Sequence, residues 1–141
     1  DSRSEEEDLS GDAIANLVIK SGNKVKQRRI VKNNIEEIRS AVKELKCNIL
    51  ITIGGTGISS RDITVEAIKP MLDKELPGFG ELFRSLSYGQ IKTSTIMSRA
   101  FAGTIAKKVI ISLPGSIKAC KLAIGEIVLK ECDHMLREIN K

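Results

Sequence analysis

The chain has 141 residues, of which 41% are hydrophobic and 29% charged, and a formal net charge of +5. That length suits one domain with a real core, the composition is ordinary for a globular protein, and no apolar run approaches a membrane span. No signal-peptide pattern is visible, and Cys47, Cys120 and Cys132 are scattered without metal-ligand spacing, so they are expected to be reduced thiols of a cytoplasmic protein.

In chain order, residues 1–9 are acidic and expected to be mobile; the opening lacks an initiator Met, which suggests an upstream segment. Ser10 can cap a helix bearing Ile14, Leu17 and Val18 on one face and ended by Gly22. Lys24 to Val31 reads as a strand. Asn34 reads as the cap of a second helix with the stripe Ile35, Ile38, Val42, Leu45. Asn48 to Ile53 is a continuous apolar strand, as expected where both faces are covered. Asp62 to Leu72 reads as a helix in which Pro70 kinks or ends the run. Pro77-Gly-Phe-Gly80 interrupts the chain, and a short helix follows from Glu81 to Tyr88. Residues 93–106 are ambiguous and are read as a helical turn followed by a strand or bend through Ala102 and Gly103. Lys108 to Leu113 is an apolar strand, and Ser116 to Asn140 reads as one or two helices with Ala119, Ala123, Ile124, Ile127 and Val128 inward. Helical crossovers between strands favour parallel pairing. The expected fold is therefore α/β, a three-layer αβα sandwich with a mostly parallel central sheet, completed by a strand before Asp1.

Chemistry concentrates where the strand Ile49–Ile53 stops in Gly54-Gly55-Thr56-Gly57. Glycines at a strand end let bare backbone N–H groups approach a phosphate closely, although glycine turns also serve simply to reverse a chain. The Gly-Lys-Ser/Thr ending of a P-loop and the spacing of a dinucleotide fingerprint are both absent. Asp62 is either a helix N-cap or a carboxylate for the metal that accompanies a nucleotide. Arg61 is either a solvated charge or a phosphate ligand. A second glycine turn, Pro114-Gly115-Ser116, ends another apolar run; Ser116 either caps the next helix or helps receive a phosphate there. Gly78-Phe79-Gly80-Glu81 sets an aromatic and a carboxylate in a turn, or is a connector with Phe79 in the core. Lys20 to Lys32 is basic without an acid. This can attract an anion, but three Phe, one Tyr and no Trp argue against single-stranded nucleic acid. The lone His134 has no Cys or second His beside it, which argues against zinc or a triad.

Taken together, Gly54-Gly-Thr-Gly57, Arg61-Asp62, Thr64, Glu66-Ala67, Pro77-Gly-Phe-Gly-Glu81, Arg84, Ser98-Arg-Ala100 and Leu113-Pro-Gly-Ser116 occur in one order. That order resembles the MoaB/Mog family of molybdenum-cofactor biosynthesis, which includes the G domain of gephyrin. Asp1-Ser-Arg3 and Ser10-Gly11 are similar to the segment after that family's first strand and to the start of its first helix. The resemblance implies one molybdopterin-binding domain over residues 1–141, assembled as a homotrimer or a dimer of trimers. It also implies a nucleotidyltransferase that adenylylates molybdopterin with ATP and Mg2+. By the same resemblance, Asp62 is the metal-binding catalytic acid. Gly54, Gly55, Thr56 and Gly57 form the nucleotide and pterin-phosphate loop. Pro114, Gly115 and Ser116 lie near the pterin, and Gly78 and Glu81 belong to a site-lining segment. One departure matters. Asn33 stands where competent members carry an Asp, and Asn34 beside it offers no carboxylate either. An amide can give an oxygen to magnesium but brings no charge, so the rival expectation is a non-catalytic pterin binder.

Overall fold

The computed structural model describes residues 8–141; the expectations for Asp1-Ser-Arg3 and for residues 1–7 lie outside it. The first helix, α1 (Leu9–Lys20), begins earlier than expected, because Asp8 rather than Ser10 caps it. Asp8 is buried, accepts from the Gly11 N–H at 3.0 Å and pairs with Arg28 at 2.9 Å, so residues 8 and 9 are anchored. The second helix, α2 (Ile35–Glu44), follows the sequence pattern: Asn34 accepts from the Glu37 N–H, and Val42 is buried at the end of the apolar stripe. Its carboxyl end is closed by the Lys108 ammonium, which donates to the carbonyls of Val42 and Leu45.

Strand β1 (Ile49–Ile53) leads through the glycine loop to α3 (Thr64–Ile68) and a 3-10 turn, Lys69–Met71, where Pro70 ends the helix. A two-residue strand, β2 (Lys74–Glu75), precedes α4 (Pro77–Ile91). A 3-10 segment then runs to β3 (Phe101–Ile105) and β4 (Lys108–Leu113). The chain finishes in α5 (Ile117–Ala123), a π-turn and α6 (Leu129–Ile139).

The sheet order is β1-β4-β3-β2. Among the described residues only β1 and β4 are parallel, in the register Ile49↔Val109 to Ile53↔Leu113; β4–β3 and β3–β2 are antiparallel, so the described sheet is mixed rather than mostly parallel. The reason is local: Ala106 and Lys107 are all that separates β3 from β4, and so short a link can only fold back on itself. The α/β class and its two helical layers stand. Phe83 of α4, Ile14 of α1, Cys120 of α5 and Ile124 pack on one face of the sheet, and Val42 of α2 with Val65 and Ile68 of α3 on the other.

Lys24–Val31, expected as a strand, has no ladder partner among the described residues. Side chains hold it instead: Arg28 bridges to Asp8 and Asp12, and Arg29 to Glu44. Among the described residues β1 pairs with β4 alone. Beside its other edge runs a trough of about 1190 Å³ lined by Ile14, Val18, Ile49, Ile51 and Leu129, with Lys24, Lys26 and Lys46 also on its walls.

At the end of α4, Lys92 adopts φ 53° and ψ −134°, a conformation that favours glycine. Its ammonium lies 5.5 Å from the centre of the Tyr88 ring, a contact too weak to offset that strain fully. Lys92→Gly is therefore expected to stabilise the fold by about 1 kcal/mol. A higher urea midpoint at unchanged m-value is the check.

Candidate functional site

The site begins as a continuation of the sheet. Gly54 donates its N–H to the Leu113 carbonyl at 2.8 Å, adding one rung beyond the β1–β4 ladder. Gly54 (φ 97°) and Gly55 (φ 74°) then turn the chain as no other residue type would do cheaply. The carbonyls that follow are all taken by the protein. Gly54 O accepts from Thr64 Oγ1 at 2.9 Å, and Gly55 O accepts from the Thr64 N–H at 3.1 Å. Thr56 O accepts from the Arg99 N–H at 2.8 Å and Gly57 O from Arg99 Nε at 2.8 Å. Within the described residues, the N–H groups of Gly55 and Thr56 donate to no protein acceptor. A loop with its oxygens tied back and its amides unspent is arranged for an anion.

Asp62 ends this loop. Its Oδ2 accepts from Ser59 Oγ at 2.8 Å and from the Ser59 N–H at 2.9 Å. The Ser59 hydroxyl first, its amide second and the Gly57 amide more weakly hold the Asp62 carboxyl below the usual carboxylate range. Asp62 is therefore ionised at neutral pH. It is not the cap of α3: the cap position is Ile63, which makes no side-chain capping bond.

Gly54, Gly55, Asp62, Asn33, Arg61 and Gly115 line one cleft of about 460 Å³, so the structure unites the two proposed catalytic positions with the first glycine turn and the centre of the second. Asn33 is oriented, with Nδ2 donating to the Arg61 carbonyl at 2.9 Å and so bridging from the segment before α2 to the loop. Lys32 and Arg61 also line the cleft, and neither has an ion pair among the described residues. Ser10 Oγ donates to the Gly115 carbonyl at 2.7 Å, which pins the second glycine turn to α1. Ser116 caps α5 by accepting from the Ala119 N–H at 3.2 Å.

Other expected positions lie apart. Pro114, Ser116, Thr56 and Gly57 adjoin cleft residues without lining that cleft, and Gly78 and Glu81 sit in the first turns of α4 outside it. A Cβ added at Gly78 would meet nothing within 4 Å, so no close backbone approach within this chain explains that glycine. His134 lies 3.0 Å from Glu131 on the exposed side of α6. The residues for which sequence reasoning found no role are Ser59, Thr64 and Arg99. Only Ser59 carries a local signal, a Ser-x-x-Asp spacing that lets Asp62 reach back to the Ser59 N–H as in a capping box. Thr64 and Arg99 bond across 10 and 42 residues of chain, which no local pattern reveals.

Fold and cleft together define an α/β domain whose amide-bearing loop and acidic rim meet at the carboxyl end of its parallel strand pair. The family model described as a "probable molybdopterin binding domain" matches residues 2–134, and the chain belongs to that family. Among curated relatives, Molybdenum cofactor biosynthesis protein B of Bacillus cereus is 44% identical over 147 residues, covering 100% of this chain and 86% of the relative. The protein of the same name from Staphylococcus epidermidis is 44% identical over 149 residues, covering 100% and 85%. A crystal structure of Molybdenum cofactor biosynthesis protein B superposes with a TM-score of 0.94 at 43% identity, covering 99% of this chain and 90% of that one. The tungsten cofactor synthesizing protein MoaB from Pyrococcus furiosus gives 0.88 at 39% identity, covering 99% and 89%. No helix of the described residues is long and apolar enough to cross a membrane.

Proposed function

We propose that this chain acts in molybdenum-cofactor biosynthesis by binding molybdopterin and adenylylating it with Mg-ATP. Adenylyl-molybdopterin and pyrophosphate are the products. The observation that carries this reading is the unspent amide of Gly55, with that of Thr56 next to it in the chain, in a cleft that the ionised Asp62 also lines. The names of the relatives, Molybdenum cofactor biosynthesis protein B, support the pathway.

In this reading a terminal phosphate oxygen of the pterin attacks the α-phosphorus of ATP. The new P–O bond forms as the bond from α-phosphorus to the bridging oxygen breaks, and pyrophosphate departs with that electron pair. No covalent protein nucleophile is needed, so the protein supplies position and charge. Lys32 and Arg61 draw the two anionic substrates in. The Gly55 and Thr56 amides take phosphate oxygens. Gly115 and Ser116 face the pterin side. Asp62 would hold Mg2+, which neutralises phosphate charge when bound. The donor chemistry fits this ion: Asp62 puts an ionised carboxylate on the cleft, and Mg2+ is commonly held by one or two carboxylates together with substrate phosphates. Purified protein should convert molybdopterin and Mg-ATP to the adenylylated product with stoichiometric pyrophosphate release. Tight pterin binding with no product would transfer the assignment to a non-catalytic binder.

Asn33 favours that second reading, because its Nδ2 is already spent on the Arg61 carbonyl and it brings no charge to the cleft. Asn33→Asp exchanges this exposed bond, worth about 1 kcal/mol, for a second carboxylate near Asp62. We expect higher Mg2+ affinity and faster adenylyl transfer. A fall in turnover would identify the bridge to Arg61 as the more important role of Asn33.

The chain works in the cytoplasm as a homotrimer or dimer of trimers in this proposal. Exposed Tyr88, Ile91, Ile96 and Met97 give it an apolar surface for assembly, which sedimentation would reveal. Nucleic acid is not a partner in this reading, since Arg28 and Arg29 of the basic stretch are paired to carboxylates.

A further inference from the structure

Arg99 lies just before β3 and does not line the cleft; it stands behind the glycine loop. Its backbone N–H donates to Thr56 O at 2.8 Å, its Nε to Gly57 O at 2.8 Å, and its Nη2 to Asp62 O at 3.2 Å. The same guanidinium forks onto Glu66 of α3 through Nη1 and Nη2. One residue thus holds three carbonyls of a single loop and is itself fixed by a carboxylate. Pairing with Glu66 raises the Arg99 pKa and balances its charge, which suits it to holding geometry rather than meeting a phosphate.

The consequence follows from peptide planarity. The carbonyl of one residue and the N–H of the next lie in one plane and point in opposite directions. Thr64, by holding Gly54 O and Gly55 O, therefore aims the amides of Gly55 and Thr56 away from itself. Arg99, by holding Thr56 O and Gly57 O, does the same for the amides of Gly57 and Ile58. Gly57 packs against the Asp62 carboxylate, since a Cβ there would stand 2.7 Å from Asp62 Oδ2, and Arg99 also grips the carbonyl of Asp62 itself.

We propose that Arg99, locked by Glu66, is a positioning residue that sets the Asp62 carboxylate and the outer amides of the glycine loop from behind, without touching substrate. The catalytic consequence rests on the adenylyl-transfer reading; the geometric one does not. A lysine in its place has charge but no planar fork, so it cannot hold Gly57 O, Asp62 O and Glu66 together.

The experiment compares the parent chain with Arg99→Lys and Glu66→Gln by three readouts. The first is hydrogen exchange of the Gly57 and Ile58 amides by NMR, the second Mn2+ binding to the protein alone, and the third kcat and KM with molybdopterin and Mg-ATP. In Arg99→Lys, these two amides are expected to exchange about tenfold faster, because the carbonyls paired with them are released. Mn2+ affinity should fall about tenfold, and kcat about 10- to 100-fold with KM within about threefold. Glu66→Gln keeps the guanidinium but loosens its anchor, and should change the same quantities in the same direction by less. Gly57 and Ile58 exchange rates and an Mn2+ affinity equal to the parent's in folded Arg99→Lys overturn the proposal. Should that variant not fold, the same result in Glu66→Gln overturns it. If the parent itself makes no product, the adenylyl-transfer reading fails, while amide exchange and Mn2+ binding still decide the role of Arg99.

Discussion

Asp62→Ala is expected to reduce adenylyl transfer at least a hundredfold while the protein stays folded. The carboxylate is the ionised oxygen donor on the cleft rim, and losing a preorganised charged group from such a site commonly costs two to three orders of magnitude, roughly 3–4 kcal/mol of transition-state stabilisation. Alanine also removes the acceptor for Ser59, so Asp62→Asn is the sharper probe: its amide oxygen still receives the Ser59 hydroxyl, and only the charge is lost. Turnover should fall nearly as far in Asn as in Ala, with less loss of melting temperature. Unchanged turnover in both would remove Asp62 from the mechanism. The pH response has a definite sign. Hydrogen bonds from Ser59 lower the folded-state pKa of Asp62, so its contribution to loop order is complete above the unfolded value and is lost as pH falls through the folded one. Activity should thus be insensitive to this group from neutral pH into the mildly acidic range and decline only in stronger acid. Ser59→Ala should move that decline to higher pH.

Gly55→Ala is expected to give the largest loss of stability of any conservative change at the loop. Gly55 has φ 74°, and an added Cβ would sit 2.1 Å from Thr64 Oγ1, 3.0 Å from Thr64 Cβ and 3.3 Å from the Thr64 backbone nitrogen. Thr64 is buried and bonded to Gly54 O and Gly55 O, so it has no free direction in which to move. Left-handed backbone strain and overpacking together amount to about 3 kcal/mol, or on the order of 10 °C in melting temperature for a domain of this size. Adding Thr64→Ala should recover only the steric share, leaving the backbone strain and a lost hydrogen bond. Calorimetry on the single and double variants measures that coupling. A single variant as stable as the parent would mean that the loop can take another shape, and with it the claim of fixed amides would fall.

Local features of the chain announced themselves and long-range ones did not. Asn34 and the stripe behind it define α2 because cap and periodicity are both nearest-neighbour effects. Strands β1 and β4 were visible as apolar runs, and the glycines after β1 marked the cleft. Strand β2 was invisible: two polar, exposed residues become a strand only because β3 is alongside. The start of α4 reads as a break in the sequence. Pro77 is a helix-starting residue at the first position, and Gly80 lies in close packing, since a Cβ there would stand 2.5 Å from Arg84 Nη2 and 3.0 Å from Ala100 O. Asp62 and Gly55 were identified from sequence as candidates, yet the two side chains that fix their loop, Thr64 and Arg99, were legible only as members of a family motif.

Among the described residues, one edge of β1 is unpaired and lies beside an apolar trough. Where such an edge is open it invites main-chain pairing between molecules, and Lys24, Lys26 and Lys46 along the trough oppose it by mutual repulsion. Such repulsion reaches only about 8 Å at physiological ionic strength and about 3 Å at 1 M salt. Concentrated stocks are thus best kept in dilute buffer, and light scattering should register growing aggregates as sodium chloride is raised.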